Sequence, residues 1–164
     1  MKKITLILVL ISFAIAYALP VAGQQADFNG IWKLDRDQST LAEYSPTLVR
    51  IDVRIGADSL LTERYYDTGD GQEYPFTENL KLDGKESSIT IYDMPRKTKA
   101  TWSDQDTTVN VESKTTFNGD NGQEDFVSKE TWKIDNVTKT LTITFKNSTS
   151  AGEASGFFLF KKAE

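Results

Sequence analysis

Glu130 and Arg64 are the residues most able to do chemistry in this chain, because each falls on a stripe that is otherwise apolar. Glu130 shares its alternating face with Phe126, Ser128, Trp132 and Ile134. Arg64 alternates in the same way with Leu60, Thr62 and Tyr66. A charge carried into an apolar interior costs free energy unless something satisfies it. Two readings follow: an internal ion pair, or a mouth at which both charges reach water, on one side, and contact with the polar end of a ligand on the other. Trp102, Trp132, Tyr66 and Tyr92 are candidate lining for a small-molecule cavity, where aromatic groups recur, though core packing explains them equally well. Arg64, Tyr66, Tyr92, Trp102, Glu130 and Trp132 are therefore the candidate ligand-binding set.

Catalysis finds little support. The chain has no histidine and no cysteine, which removes the commonest neutral-pH acid-base group, thiol chemistry and the commonest metal ligands. No Gly-x-Ser-x-Gly elbow or phosphate-cradling glycine loop occurs. The acidic turns Asp67 to Gly71 and Asn118 to Gly122 lack the ligand spacing of a calcium loop, and hairpin chemistry accounts for them. Asn136 and Asn147 each open a glycosylation sequon, at what read as hairpin turns where Asn is expected anyway. The expectation is a protein without enzymatic activity, cofactor or metal.

The elements that must position these residues are strands. Apolar and polar residues alternate over 28–34, 47–55, 59–67, 73–82, 86–92, 97–103, 107–117, 124–135, 139–146 and 154–162, with no sustained helical stripe. Val49, Ile51, Val53 and Ile55 oppose Arg50, Asp52 and Arg54; Leu141, Ile143 and Phe145 oppose Thr142, Thr144 and Lys146. One buried and one wet face is the mark of an antiparallel sheet. Gly56-Ala57-Asp58, Gly69-Asp70-Gly71, Asp83-Gly84-Lys85, Asp104-Gln105-Asp106 and Gly119 to Gly122 supply hairpin turns. Only the connection from Asp35 to Pro46 is long, and Asp37 to Thr40 is suited to capping a helical turn there. Such a meander most naturally closes on itself to remove its edges, so the expected fold is an all-β, antiparallel up-and-down barrel of 8–10 strands, with an open sandwich as runner-up. The last strand breaks the alternation at Phe157 to Phe160. This points either to cover from Leu41 and Tyr44 in the long connection or to an apolar edge that meets a partner.

Lys2 and Lys3 precede an apolar run from Ile4 to Leu19 that stops at Pro20, the form of a secretory signal rather than of a spanning helix. Cleavage after Ala18 or after Gly23 fits, and the second is favoured: a signal over 1–23 and one domain over 24–164. The mature chain is expected to be exported, periplasmic or secreted, soluble, and without a membrane span. Loss of the two lysines leaves it more acidic than the −5 of the whole chain. Basic residues are interleaved with acidic ones, which argues against nucleic acid as a partner.

Phe28-Asn29-Gly30-Ile31-Trp32-Lys33-Leu34-Asp35, with Ser39 after it, resembles the Gly-x-Trp opening of the lipocalins and the wider calycin group. More closely it resembles small exported bacterial lipocalin-like domains of the pattern Phe-x-Gly-x-Trp-Lys-Leu-(Asp/Asn). Leu82-Asp83-Gly84-Lys85, Thr101-Trp102, Glu130-Thr131-Trp132-Lys133 and Thr140 to Ile143 fit the same pattern. The resemblance implies a lipocalin-like barrel in which Trp32 plugs one end, with a basic side chain of the last strand, Lys161 or Lys162, lying over its indole. The chain departs from that pattern in having no disulfide, no second or third lipocalin motif and no helix after its last strand, so no particular ligand is carried over. The expected function is to bind a small apolar or amphiphilic molecule or lipid. The alternative is a filled barrel that contacts a partner protein through its last strand and loops.

Overall fold

The computed structural model describes residues 26–41, 46–103, 107–119 and 122–163. The segment 1–23 read from sequence as a signal, Tyr44, Asp104 to Asp106, Asp120 and Asn121 lie outside the described residues.

Ten antiparallel strands form one sheet: β1 (Gly30–Leu34), β2 (Thr47–Ile55), β3 (Ser59–Asp67), β4 (Glu73–Lys81), β5 (Ser87–Ile91), β6 (Met94–Trp102), β7 (Thr108–Gly119), β8 (Gly122–Asp135), β9 (Thr140–Thr149) and β10 (Gly152–Lys162). Each alternating run of the sequence is one of these strands. Their order in space is β4-β3-β2-β1-β10-β9-β8-β7-β6-β5. The meander therefore closes through β1 against β10, with Trp32 opposite Lys162 and Leu34 opposite Phe160, and is open as a ladder only between β4 and β5. Side chains span that seam: the Arg96 guanidinium on β6 lies 3.3 Å from Glu78 on β4, and the Tyr92 hydroxyl donates to the Pro75 carbonyl at 2.7 Å. The result is a nearly closed barrel.

Three local departures from the expected pattern have physical causes. A bulge in β2 between Leu48 and Arg50 adds a residue and reverses the alternation beyond it. Leu48 thus shares the interior with Ile51 and Val53, and Val49 does not continue the buried face. β5 and β6 are joined by a two-residue turn rather than by the looser connection implied by 86–92 and 97–103. Its residues Tyr92 (φ 47°) and Asp93 (φ 65°) both adopt the left-handed conformation of a tight hairpin, without the glycine that usually announces one. In β10 it is Phe158 and Phe160 that turn inward, while Phe157 is 44% exposed.

The helical turn in the long connection is a short 3₁₀ segment, Arg36–Gln38, preceded by Asp35, whose side chain makes no capping bond. Beyond β1 the connection continues along β10 by a different means. Asp35 N–H donates to the Leu159 carbonyl and Thr40 N–H to the Phe157 carbonyl, both at 2.8 Å. The hydroxyls of Ser39 and Thr40 accept the N–H groups of Leu159 and Phe157 at 2.9 and 3.3 Å. The Phe157 and Leu159 backbone, past the reach of β1, is thereby satisfied within the chain.

Candidate functional site

The barrel interior divides into two halves. At one end Phe28, Trp32, Leu60, Leu80, Val109, Trp132 and Leu141 are fully buried and fill the space. Trp32 donates its indole N–H to the Phe28 carbonyl at 2.9 Å, and the Phe28 ring lies 5.8 Å from Trp102 and 6.3 Å from Trp132. Lys162, not Lys161, lies over the Trp32 ring, at 5.4 Å, and Gly30 leaves room for it, since a Cβ there would stand 2.6 Å from the lysine Cε. Lys161 instead pairs with Asp35 at 2.7 Å. That contact, opposed by some burial, holds the Asp35 carboxyl below its ordinary value.

The other half encloses a cavity of about 910 Å³, walled by apolar side chains such as Phe76, Phe117, Phe126, Phe145 and Phe158, with Leu41 and Pro46 of the long connection at one side. The division follows from sequence parity. Along β3 the inward series is Leu60, Thr62, Arg64, Tyr66; along β8 it is Trp132, Glu130, Ser128, Phe126; along β6 it is Trp102, Ala100, Thr98, Arg96. Each series starts in the packed half, crosses a polar level and ends at the cavity.

The polar level is built from two ion pairs. Arg64 meets Glu130 through two parallel bonds of 2.9 and 3.0 Å, the geometry in which guanidinium and carboxylate match best. Trp132 donates to the same carboxylate at 2.7 Å and carries the guanidinium over its ring at 4.9 Å. Burial is the largest single influence on Glu130 and pushes its pKa upward, but the charge and hydrogen bonds of Arg64, with the Trp132 bond, together hold it below 4.5. Burial likewise opposes the charge on Arg64, and Glu130 more than offsets it, so the guanidinium is held more firmly protonated. Burial also pushes the Tyr66 phenol above its ordinary value, against the pull of Arg64. The second pair is Arg96 with Glu78. Here Arg96 also donates to Thr115 at 3.2 Å, and Thr98 donates to Glu78.

Of the six residues singled out from sequence, Arg64, Glu130 and Tyr66 come together at the cavity, where Tyr66 stacks on Phe76 at 5.8 Å. Trp132 is 0% exposed and sits beneath them in the packed half, holding Glu130 from below. Trp102 packs on Phe28 at the filled end, away from the cavity. Tyr92 stands at the β5–β6 turn, 61% exposed, and ties the seam rather than lining the interior. Sequence reasoning missed Glu78 and Arg96. The parity that exposed Glu130 was there to find them, since Glu78 lies between Phe76 and Leu80 and Arg96 is in step with Thr98 and Ala100. Asn147 was also misplaced: it is no turn residue but an inward position of β9, whose side chain lines the cavity.

An antiparallel meander of ten strands in a nearly closed barrel, hollow at one end, is a calycin-like fold. No family model matches the chain, and no curated protein matches it by sequence. Among solved structures it is similar to the zebrafish ileal bile acid-binding protein in complex with cholic acid, with a TM-score of 0.51 and 15% identity, over 83% of this chain and 98% of that one. Among the described residues no helix is long and apolar enough to cross a membrane.

Proposed function

We propose that this chain is an exported, non-enzymatic binding protein whose barrel holds a small apolar or amphiphilic molecule. The observation that carries this reading is the cavity itself. At about 910 Å³ it has the size of a small-molecule pocket, and such pockets join apolar walls to a few convergent polar groups as this one does. The bound cholic acid of the structural neighbour supports the reading at the level of fold. Export rests on the signal-like segment 1–23, and the ligand-contact roles of Arg64, Tyr66 and Glu130 rest on their place at the cavity. A filled barrel is disfavoured by the cavity, and residues 157–162 of the last strand are already occupied by β9 on one side and by β1, Ser39 and Thr40 on the other.

The test is the intact mass of the purified protein under native conditions, followed by extraction of whatever accompanies it. A reproducible apolar passenger, lost when Ser128→Phe plugs the cavity, is the expected result. A clean apo mass, with no thermal stabilisation across a panel of apolar and amphiphilic compounds, would overturn the reading.

A further inference from the structure

Among the described residues, every charged side chain that lines the cavity is already paired. Arg64 is spent on Glu130 and Arg96 on Glu78, while Glu153 at the rim meets Lys146 at 3.0 Å. The polar level therefore presents no net charge to a ligand. Nor are its arginines free to turn. Arg64 is 1% exposed, held by two bonds to Glu130 and by the Trp132 ring, and Arg96 is held between Glu78 and Thr115. A ligand carboxylate that took either guanidinium in the two-bond geometry would displace its glutamate, which would leave a buried carboxylate uncompensated beside another.

The remaining polar side chains of the wall are neutral, among them the hydroxyls of Ser128 and Thr115 and the amide of Asn147. An ionised carboxylate can only accept hydrogen bonds, and so uses only the donor side of these groups. A hydroxyl both donates and accepts, and so suits the hydroxyls and the amide of that wall.

We propose that the cavity selects an uncharged, hydroxyl-bearing amphiphile, such as a long-chain alcohol or an acylglycerol, over a carboxylate of the same apolar length. This rests on the binding reading above and names its ligand class. The test is displacement of the uncharged fluorophore N-phenylnaphthylamine from the purified protein by dodecanol, by the monoglyceride of dodecanoic acid and by dodecanoate, all below their aggregation thresholds at neutral pH. The expected result is that the two hydroxyl compounds compete about tenfold or more better than dodecanoate. In Glu130→Gln, whose Arg64 is no longer neutralised, that order is expected to narrow or reverse. Dodecanoate competing as well as the alcohol in the unaltered protein would overturn the charge-neutral assignment and leave the binding reading standing. Failure of the fluorophore and of all three compounds to bind would overturn both.

Discussion

The two halves of this barrel are built by the same strands, yet one is a solid core and the other a chamber. The difference lies in what stands at successive inward positions. In the packed half, large side chains from opposite walls meet: Trp32, Trp132 and Phe28 span the interior with Leu60, Leu80 and Leu141 around them. In the hollow half the aromatic groups stay against their own walls, as Tyr66 does on Phe76 and Phe145 on Phe158 at 4.8 Å. Between them the two ion pairs form a floor. A fold of this width can be filled or hollow, and here the sequence does both. Close packing is concentrated on one side of the floor and open volume on the other.

The comparison breaks most sharply at the floor. Arg64→Met should cost about 3–5 kcal/mol in urea denaturation, because it strands Glu130 as a buried charge. Arg64→Met combined with Glu130→Met should restore most of that loss, since well-packed apolar replacements of buried pairs are often neutral. A double variant as unstable as the single one would show that the pair is needed for the fold itself. Next comes a matched pair of truncations. Leu141→Ala, in the packed half, should cost about 3 kcal/mol, whereas Phe126→Ala, which only enlarges an existing chamber, should cost roughly 1 kcal/mol. Equal losses would mean that the chamber wall is as tightly packed as the core.

Acid sharpens the contrast between charged floor and apolar walls. Glu130 is held below 4.5 in the folded protein, so the stability it contributes is complete above its unfolded value and is lost as pH falls through the lower folded value. Exposed carboxylates such as Asp70 and Asp135, held low chiefly by hydrogen bonds, respond in the same direction. The informative measurement is the difference between the parent and the Arg64→Met/Glu130→Met variant below about pH 4.5, where the parent should lose more. The smallest effect belongs to Ser39→Ala, which removes the acceptor of the Leu159 N–H and should cost about 1 kcal/mol in thermal unfolding. That change should leave packing at Trp132 untouched, as read by its fluorescence.

Much of this was legible in the sequence because alternation has a period of two and fixes facing at once. Ten strands and the inward facing of Arg64 and Glu130 followed from parity, which left their pairing as one of several readings. What stayed hidden depends on neighbours that parity does not name. Glu78 and Arg96 meet across the seam, and like Arg64 and Glu130 they stand on strands that are not ladder partners, so parity places each one inward without naming its partner. Tyr92 reads as another aromatic of an inward stripe until its backbone is seen at positive φ, where no glycine or asparagine marked the turn. Trp102 has the expected parity but the wrong height, and height in a tilted barrel comes from the register of all the strands together. Val49 was displaced by a bulge that leaves no mark in composition.

The spatial order of the strands has a consequence for how the chain folds. Read from β5 through β10 and on from β1 to β4, the sheet is an unbroken ribbon in which each strand lies beside the next. The natural chain enters that ribbon in its middle, so the β1–β10 pairing joins segments more than a hundred residues apart. Loops of that length are slow to close. A circular permutant opened between β4 and β5, with the two old ends linked, would turn the slowest contact into a local hairpin while keeping every ladder. It should fold faster than the natural chain.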